Sequence, residues 1–201
     1  MSVSVVTLTG DQILAVLDDL ARLRIEVFRA WPYLYDGDMF YERRYLSHFA
    51  QGAGSVVICA YDGSRMVGAS TGAPMEGHAE DFGRAFAATG IALTDVFYCA
   101  ESVLLPEYRG RGLGHAFFDG REAQARALGR RWSAFCSVIR PADHPARPEV
   151  YRPLDAFWRS RGYDILPGVT AEFSWKDLDQ TQETPKQLQF WIRDLQAGDR
   201  T

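Results

Sequence analysis

Three glycines at alternate positions, Gly110, Gly112 and Gly114, lie between a strand-like segment and a helix-like one. The apolar run Val96 to Leu105 precedes them, and an amphipathic segment from about Gly112 to Leu128 follows. Glycine loses much conformational freedom on folding, so glycines this dense indicate a backbone that approaches another group closely. Free N–H groups at a helix start form an anion site at the positive end of the helix dipole. We therefore predict a loop that binds phosphate or pyrophosphate.

Neighbouring residues of this loop support an anion site and exclude two known phosphate cradles. Arg109, Arg111 and His115 add positive charge. The dinucleotide fingerprint requires a glycine where His115 or Phe117 stands, and no Gly-Lys-Ser/Thr follows to complete a Walker loop. A glycine-rich turn with solvated arginines is the alternative interpretation.

The rest of the chain alternates helical and strand patterns without a linker or repeat, which predicts one domain over residues 1–201. Predicted strands cover Ser4 to Leu8, Val56 to Tyr61, Met66 to Thr71, Val96 to Leu105 and Trp132 to Val138. Predicted helices cover Asp11 to Ala30, Met39 to Ala50, Phe82 to Ala88, Gly112 to Leu128 and a segment that begins with Pro153 at its first position and ends near Gly162.

The C-terminal segment is ambiguous in periodicity. Leu188, Trp191, Ile192 and Leu195 fit a helical stripe, and Leu188 and Ile192 also fit an alternating strand. The preceding residues alternate as a strand does, so we favour a hairpin over about 163–196.

Composition narrows the classes of partner and compartment. A net charge of −4 argues against nucleic acid, and no apolar run is long enough for a membrane span. The N-terminal residues lack the features of a signal peptide, and the odd set of three cysteines lies in apolar runs. We therefore expect a cytoplasmic protein with reduced cysteines; a catalytic thiol is the alternative. The four histidines have no metal-site spacing, so we predict no metal.

The stretch E-S-V-L-L-P-E-Y-R-G-R-G-L-G, from Glu101 to Gly114, resembles the coenzyme A loop of the GNAT acetyltransferases. A second stretch, Ala156 to Asp164, is similar to a helix-to-strand junction of that superfamily. The resemblance implies an α/β (α+β) fold with a central mixed, mostly antiparallel sheet of about seven strands and helices on both faces. It also implies that the fourth and fifth strands splay apart, and it favours a strand at the C-terminus.

The resemblance further implies acetyl-CoA as cosubstrate. Backbone groups of Ser102, Val103 and Leu104 would pair with the pantetheine arm, and the loop would bind the pyrophosphate. The loop residues assigned to the cofactor are Arg109, Gly110, Arg111, Gly112, Leu113, Gly114 and His115.

The implied reaction is direct transfer of an acetyl group to an amine, which must first lose a proton. Glu101 is the candidate base, with an ordinary salt bridge as its alternative role, and His144 in the long insertion Arg140 to Arg152 is the rival base. The general-acid tyrosine common in the family is replaced by Trp158. Either Tyr151 substitutes for it, or the thiolate leaves unassisted.

The acceptor pocket of the family lies between the first two helices, where Ala30 to Tyr45 is rich in aromatic and acidic residues. Tyr33, Tyr35 and Asp36 are the candidate acceptor-binding residues, suited to a cationic amine with an apolar body. Simple packing of these aromatics is the alternative. The partner would be a small-molecule or peptide amine, and a homodimer is left open.

Two other functions compete. Gly68-Ala-Ser70-Thr-Gly72 matches the nucleophile elbow of α/β-hydrolases, although Pro74 interrupts the helix that should follow. Labelling of Ser70 by a serine probe would favour a hydrolase. A non-catalytic acyl-CoA-binding module would bind the cofactor but transfer its acyl group to no amine.

Overall fold

A seven-stranded sheet of order β1-β2-β3-β4-β5-β7-β6 organises the protein, whose computed structural model describes residues 3–197. Every neighbouring pair is antiparallel except β4 and β5, which are parallel. The strands are β1 Ser4–Thr9, β2 Val56–Asp62, β3 Arg65–Pro74, β4 Val96–Leu104, β5 Trp132–Val138, β6 Asp164–Trp175 and β7 Thr184–Asp194. The predicted mixed, mostly antiparallel sheet is therefore confirmed.

Six α-helices connect or flank these strands within the described residues. They are α1 Asp11–Leu14, α2 Leu17–Phe28, α3 Met39–Gln51, α4 Ala79–Phe86, α5 Leu113–Ala127 and α6 Asp155–Ser160. None of these helices combines the length and the apolar character needed to cross a membrane.

Two helix predictions were wrong in detail. The helix predicted over Asp11 to Ala30 is broken after Leu14, because the Val16 N–H bonds to Ile13 O, three residues back, in a tight turn. Pro153 does not occupy the first position of α6, since Leu154 is its N-cap.

The C-terminal segment forms a strand, not the alternative helix. β6 and β7 pair as an antiparallel hairpin, and β7 lies between β6 and β5. Burial alternates along β7, with Lys186, Leu188 and Phe190 buried and the residues between them more exposed. The turn between β6 and β7 therefore lies next to the loop after α2. An isolated antiparallel bridge between Tyr35 and Asp177 joins the two.

β4 and β5 separate after the first third of β4. Their parallel pairing covers only three residue pairs and ends at Tyr98 and Ala134. Beyond that point β4 continues beside β3, and β5 continues beside β7. The predicted splay is confirmed, and it leaves an opening in the middle of the sheet.

A β-bulge in β4 lies at the start of this opening. Thr71 pairs with Glu101 and Ala73 pairs with Tyr98, so β4 has one more residue than β3 between these two pairs. Residues three apart in a regular strand point to opposite faces, and one extra residue places them on the same face. The bulge therefore turns the Glu101 side chain to the face that carries Tyr98.

Helices cover both faces of the sheet, as predicted. Gly68 approaches Phe117 of α5, and its partner on β4 is Leu104. Glu101 and Leu104 lie three residues apart in the regular part of β4, so their side chains point to opposite faces of the sheet. Glu101 contacts Arg24 of α2. The phosphate-loop helix α5 and the helices α2 and α3 thus lie on opposite sides of the opening.

Candidate active site

The glycine loop presents a row of backbone donors at the start of α5. Gly110 and Gly112 have φ of 73° and 80°, the left-handed region that favours glycine, and Gly112 is the N-cap. The N–H groups of residues 110–114 donate to no carbonyl within residues 3–197, whereas the His115 N–H bonds to Gly112 O at 3.0 Å. A Cβ at either of these two glycines would project into open space. Five adjacent N–H groups therefore face outward at the positive end of a helix.

Side chains brace the loop without using those donors. Tyr108 Oη donates to Asp62 Oδ2 at 2.8 Å, and the Arg111 guanidinium stacks over the Tyr108 ring at 5.0 Å. Arg111 also donates to Glu107 O at 2.7 Å, and Arg109 Nε donates to Leu104 O at 3.3 Å. Both arginines are exposed, so their charge adds to that of the helix start.

The opening between β4 and β5 exposes backbone groups of β4. The Leu105 N–H donates to Val67 O, and the alternation of an antiparallel ladder then turns Val103 toward β3. Ser102 and Leu104 consequently turn their backbone groups toward the opening. These two residues could hold an extended ligand as an added strand, and the loop donors could hold its phosphates.

A cavity of about 600 Å³ lies on the other face of the sheet, beside Glu101. The candidate acceptor residues Tyr33, Tyr35 and Asp36 all line it, so the structure brings them together with Glu101. Other lining residues come from β4, β5, β6 and the turn before β7: Tyr98, Ala100, Cys136, Phe173, Trp175, Lys176 and Glu183.

The cavity wall is aromatic and carries more negative than positive charge. Its lining includes four carboxylates (Asp36, Asp38, Glu101 and Glu183) and two cationic side chains (Arg24 and Lys176). Asp38 caps α3 by accepting from two backbone N–H groups. Lys176 Nζ lies 2.7 Å from Asp36 Oδ2, and this hydrogen bond holds the pKa of Asp36 below its usual value.

Arg24 forms a buried ion cluster with Glu42 of α3 and Glu101 of β4. Their side chains are 9%, 0% and 7% exposed, respectively. The guanidinium also packs against Phe28 and Tyr45, with its central carbon 5.2 and 4.7 Å from their ring centres. Burial opposes the charge on Arg24, yet Glu101, Tyr45 and Glu42 raise its pKa, so the cation persists at all ordinary pH.

The insertion residues His144 and Tyr151 lie elsewhere. Both rings contact Trp31, at 5.2 and 6.0 Å between centres, and neither residue is among the described residues that line the Glu101 cavity. His144 Nδ1 already accepts from the Ala146 N–H at 3.1 Å. Burial raises the pKa of Tyr151, so this phenol stays protonated.

No protein-family model matches the sequence, and no curated protein matches it either. Solved structures, in contrast, match nearly the whole chain. An aminoglycoside 6′-N-acetyltransferase in complex with coenzyme A matches with a TM-score of 0.59 and 13% identity, covering 94% of this chain and 97% of that one. A GCN5-related N-acetyltransferase from Kribbella flavida matches with a TM-score of 0.55 and 16% identity, covering 96% and 97%. The PaiA N-acetyltransferase of Thermoplasma acidophilum in complex with coenzyme A matches with a TM-score of 0.52 and 12% identity, covering 96% and 99%.

The chain has the GNAT fold. Such low identity shows the fold alone. Within this GNAT fold, Arg121 of α5 donates to the backbone oxygen of Glu101 at 2.9 Å. The helix that carries the phosphate loop is therefore bonded directly to the bulge that aims Glu101.

The structure also shows the surroundings of Trp158, which replaces the family's tyrosine, and of Ser70, the serine of the hydrolase-like motif. Trp158 is half-buried and packs between Phe135 and Trp191 against the core, which explains an indole at this position. Ser70 lies in the middle of β3 with its side chain fully buried, instead of on a strand-to-helix turn. This position contradicts the nucleophile elbow, which requires an exposed serine on such a turn.

Sequence reasoning missed Arg24, Tyr98, Cys136 and Trp175 as site residues, and it offered Glu42 only as one of the acidic residues of the segment between the first two helices. Arg24 carried one signal, a cation beside the apolar stripe of α2. Tyr98 and Cys136 come from the two strands that splay, and the Tyr98 Oη–Cys136 Sγ distance is 3.3 Å. Burial raises the pKa of Cys136 to about 12, so its thiol is protonated and unsuited to nucleophilic attack.

Proposed function

We propose that this protein is an acetyl-CoA-dependent N-acetyltransferase that acts on an amine. The observation that carries the proposal is the position of Glu101 at the splay of the sheet. The outward-facing N–H groups of the loop lie on one side of this opening, and the carboxylate-lined cavity lies on the other. Two ligands could therefore meet at one point from opposite faces.

The loop and β4 fit coenzyme A in chemistry. The free N–H groups of residues 110–114 and the charge of Arg109 and Arg111 would bind the pyrophosphate, and Ser102 and Leu104 would pair with the pantetheine amides. Acetyl-CoA supplies an acetyl thioester, whose C–S bond is exchanged for a C–N bond to the amine as CoA is released as a free thiol.

Glu101 acts as the general base in this proposal. Its carboxylate lines the cavity and pairs with Arg24, and in this proposal it accepts the proton that an ammonium must lose before attack. His144 and Tyr151, which are not among the described residues that line the cavity, take no part in the proton transfer in this proposal.

The acceptor is a cationic amine with an aromatic or apolar body. The excess of carboxylates in the cavity attracts positive charge, and the rings of Tyr33, Tyr35 and Trp175 offer faces for apolar contact and cation–π attraction. Both small-molecule and peptide amines meet this description.

The described cysteines are free and buried, in keeping with activity in the reducing cytoplasm.

A panel of amines incubated with the protein and acetyl-CoA tests the proposal through release of free thiol. We expect release with cationic aromatic or apolar amines and little with neutral or anionic ones. Thiol release that requires no acceptor would instead favour hydrolysis. Cofactor binding without transfer to any amine would favour a non-catalytic acyl-CoA-binding module.

A further inference from the structure

Two carboxylates share one guanidinium at the base of the acceptor cavity. Arg24 Nε donates to Glu42 Oε2, and Arg24 Nη1 pairs with Glu101 Oε2. Glu42 is fully buried and does not line the cavity, whereas Glu101 does. Among residues 3–197, Glu101 Oε1 has no hydrogen-bond partner. Glu42 is therefore joined to Glu101 through Arg24, and it also interacts with Tyr35, which lines the cavity.

The cluster holds two carboxylates and one guanidinium, so the second carboxylate changes the electrostatic environment of Glu101. A guanidinium devoted to Glu101 alone would lower the pKa of that carboxyl and make it a poor base, because an adjacent opposite charge favours the ionised form. Glu42 divides the attraction of Arg24 and adds a negative charge that repels ionised Glu101. Both effects are lost when Glu42 is neutral.

We propose that Glu42 is a positioning residue that sets the basicity of Glu101 through the shared guanidinium of Arg24. This inference rests on the proposed role of Glu101 as the base. It adds a residue of α3, remote from the reacting atoms, that determines how readily the acceptor ammonium is deprotonated.

Other groups also face Glu101 and belong to the same electrostatic environment. Arg24 comes from α2, and Glu42 and Tyr45 come from α3. Tyr33 of the loop between α2 and α3 and His78 of the turn before α4 also interact electrostatically with Glu101. Burial raises the pKa of Tyr33 and Tyr45 and lowers the pKa of His78, so all three are neutral at neutral pH. Arg24 and Glu42 are then the charged groups of this set on the cavity face, and Arg121 of α5 is a further cation that donates to the Glu101 backbone oxygen from the opposite face.

Glu42→Gln tests the coupling, since it keeps the shape of the side chain and removes its charge. The readout is the pH titration of the Glu101 side-chain carboxyl carbon by NMR, assigned by its loss in Glu101→Gln. We expect the midpoint to fall by about one pH unit or more, the usual effect of one nearby charge. The acidic limb of the kcat/KM profile should move the same way, and Glu42→Asp should restore it.

Asp18→Asn is the matched control, because Asp18 and Arg43 form an exposed ion pair between the same two helices, with Nε and Oδ1 2.7 Å apart. This variant should leave the titration of Glu101 unchanged. An unmoved Glu101 midpoint in folded Glu42→Gln would overturn the coupling. The NMR titration needs neither acetyl-CoA nor an amine, so wild-type protein that transfers no acetyl group would overturn the proposed function separately.

Discussion

Glu101 is held by two different parts of the molecule. Its side chain pairs with Arg24 on the cavity face, and its backbone oxygen accepts from Arg121 on the other face. A residue bonded in this way has little freedom to move its carboxylate, which favours a fixed position for proton transfer. The sequence offered two roles, a base or a salt-bridge residue. The structure shows the salt bridge, which is compatible with the proposed role as base.

Glu101→Gln should lower kcat by about 10²–10⁴-fold, because it preserves hydrogen bonding but cannot take a proton. The affinity for acetyl-CoA should hardly change. The deficit should shrink as pH rises, since more amine then arrives neutral. Steady-state rates over a range of pH measure this effect.

His144→Ala is the paired control and should retain nearly full activity. A result in which His144→Ala loses activity and Glu101→Gln keeps it would assign the base to the insertion.

Gly112→Val should weaken the binding of acetyl-CoA. A β-branched residue at φ of 80° costs about 1–2 kcal/mol of strain, and its side chain would obstruct the outward-facing N–H groups. Isothermal titration measures the affinity.

Gly90→Val provides a control with similar strain, since Gly90 has φ of 71° and open space around it but lies outside the loop. Equal affinity in both folded variants would mean that the phosphates bind elsewhere.

Among the structural elements, the turn after β6 lines the Glu101 cavity and is bonded to the segment after β5. Arg140 donates to both oxygens of Asp177, at 2.7 and 3.0 Å, and to the backbone oxygens of Pro32 and Tyr33. Lys186 of β7 adds a second cation, 3.4 Å from Asp177. The loop after α2, the segment after β5 and the turn after β6 are thus joined through the Arg140 guanidinium.

Asp177→Asn should lower the free energy of unfolding by about 3 kcal/mol at neutral pH, the lower range for leaving a buried charge unpaired. Burial opposes ionisation, but the bonds from Arg140 hold the pKa of Asp177 below 3.8. A depressed pKa stabilises the fold above the unfolded value, and this contribution is lost as pH falls through the folded value. The difference between variant and wild type should therefore narrow below pH 3.8.

Urea unfolding at a series of pH values measures this difference. Asp18→Asn, which removes an exposed pair, should change stability little at any pH. A constant difference between Asp177→Asn and wild type down to the acid limit would show that the ion pair is not its cause.

At the scale of the whole molecule, the opening in the sheet joins the loop face to the cavity face. A ligand that binds only the native protein stabilises it by RT ln(1 + [L]/Kd), about 2.7 kcal/mol at one hundred times Kd. Acetyl-CoA should therefore raise the Tm clearly, and NADH and ATP should raise it less. A thermal unfolding assay with the three ligands makes the comparison. Equal protection by NADH would contradict a coenzyme A site.

The sequence alone determined the order of the main elements, the position of the glycine loop and the GNAT resemblance. These features depend on residues close in the chain: the periodicity of α5, the Asp62-Gly63 turn and the alternate glycines from Gly110 to Gly114. Local periodicity could not resolve the break after Leu14, since the apolar stripe continues through it. It also left the C-terminal segment ambiguous, because its apolar spacing fits both periods.

Only the tertiary structure decided the composition of the acceptor cavity and the surroundings of Glu101. Arg24, Glu42, Glu101 and Trp175 lie far apart in the chain and meet because α2, α3, β4 and β6 pack around one opening. The β4 bulge is likewise a property of pairing with β3, and no pattern within β4 reveals which face Glu101 takes. The physical reason is the same in each case. Local order follows from backbone propensity and apolar spacing, whereas the charge balance of a buried site follows from which distant elements are brought into contact.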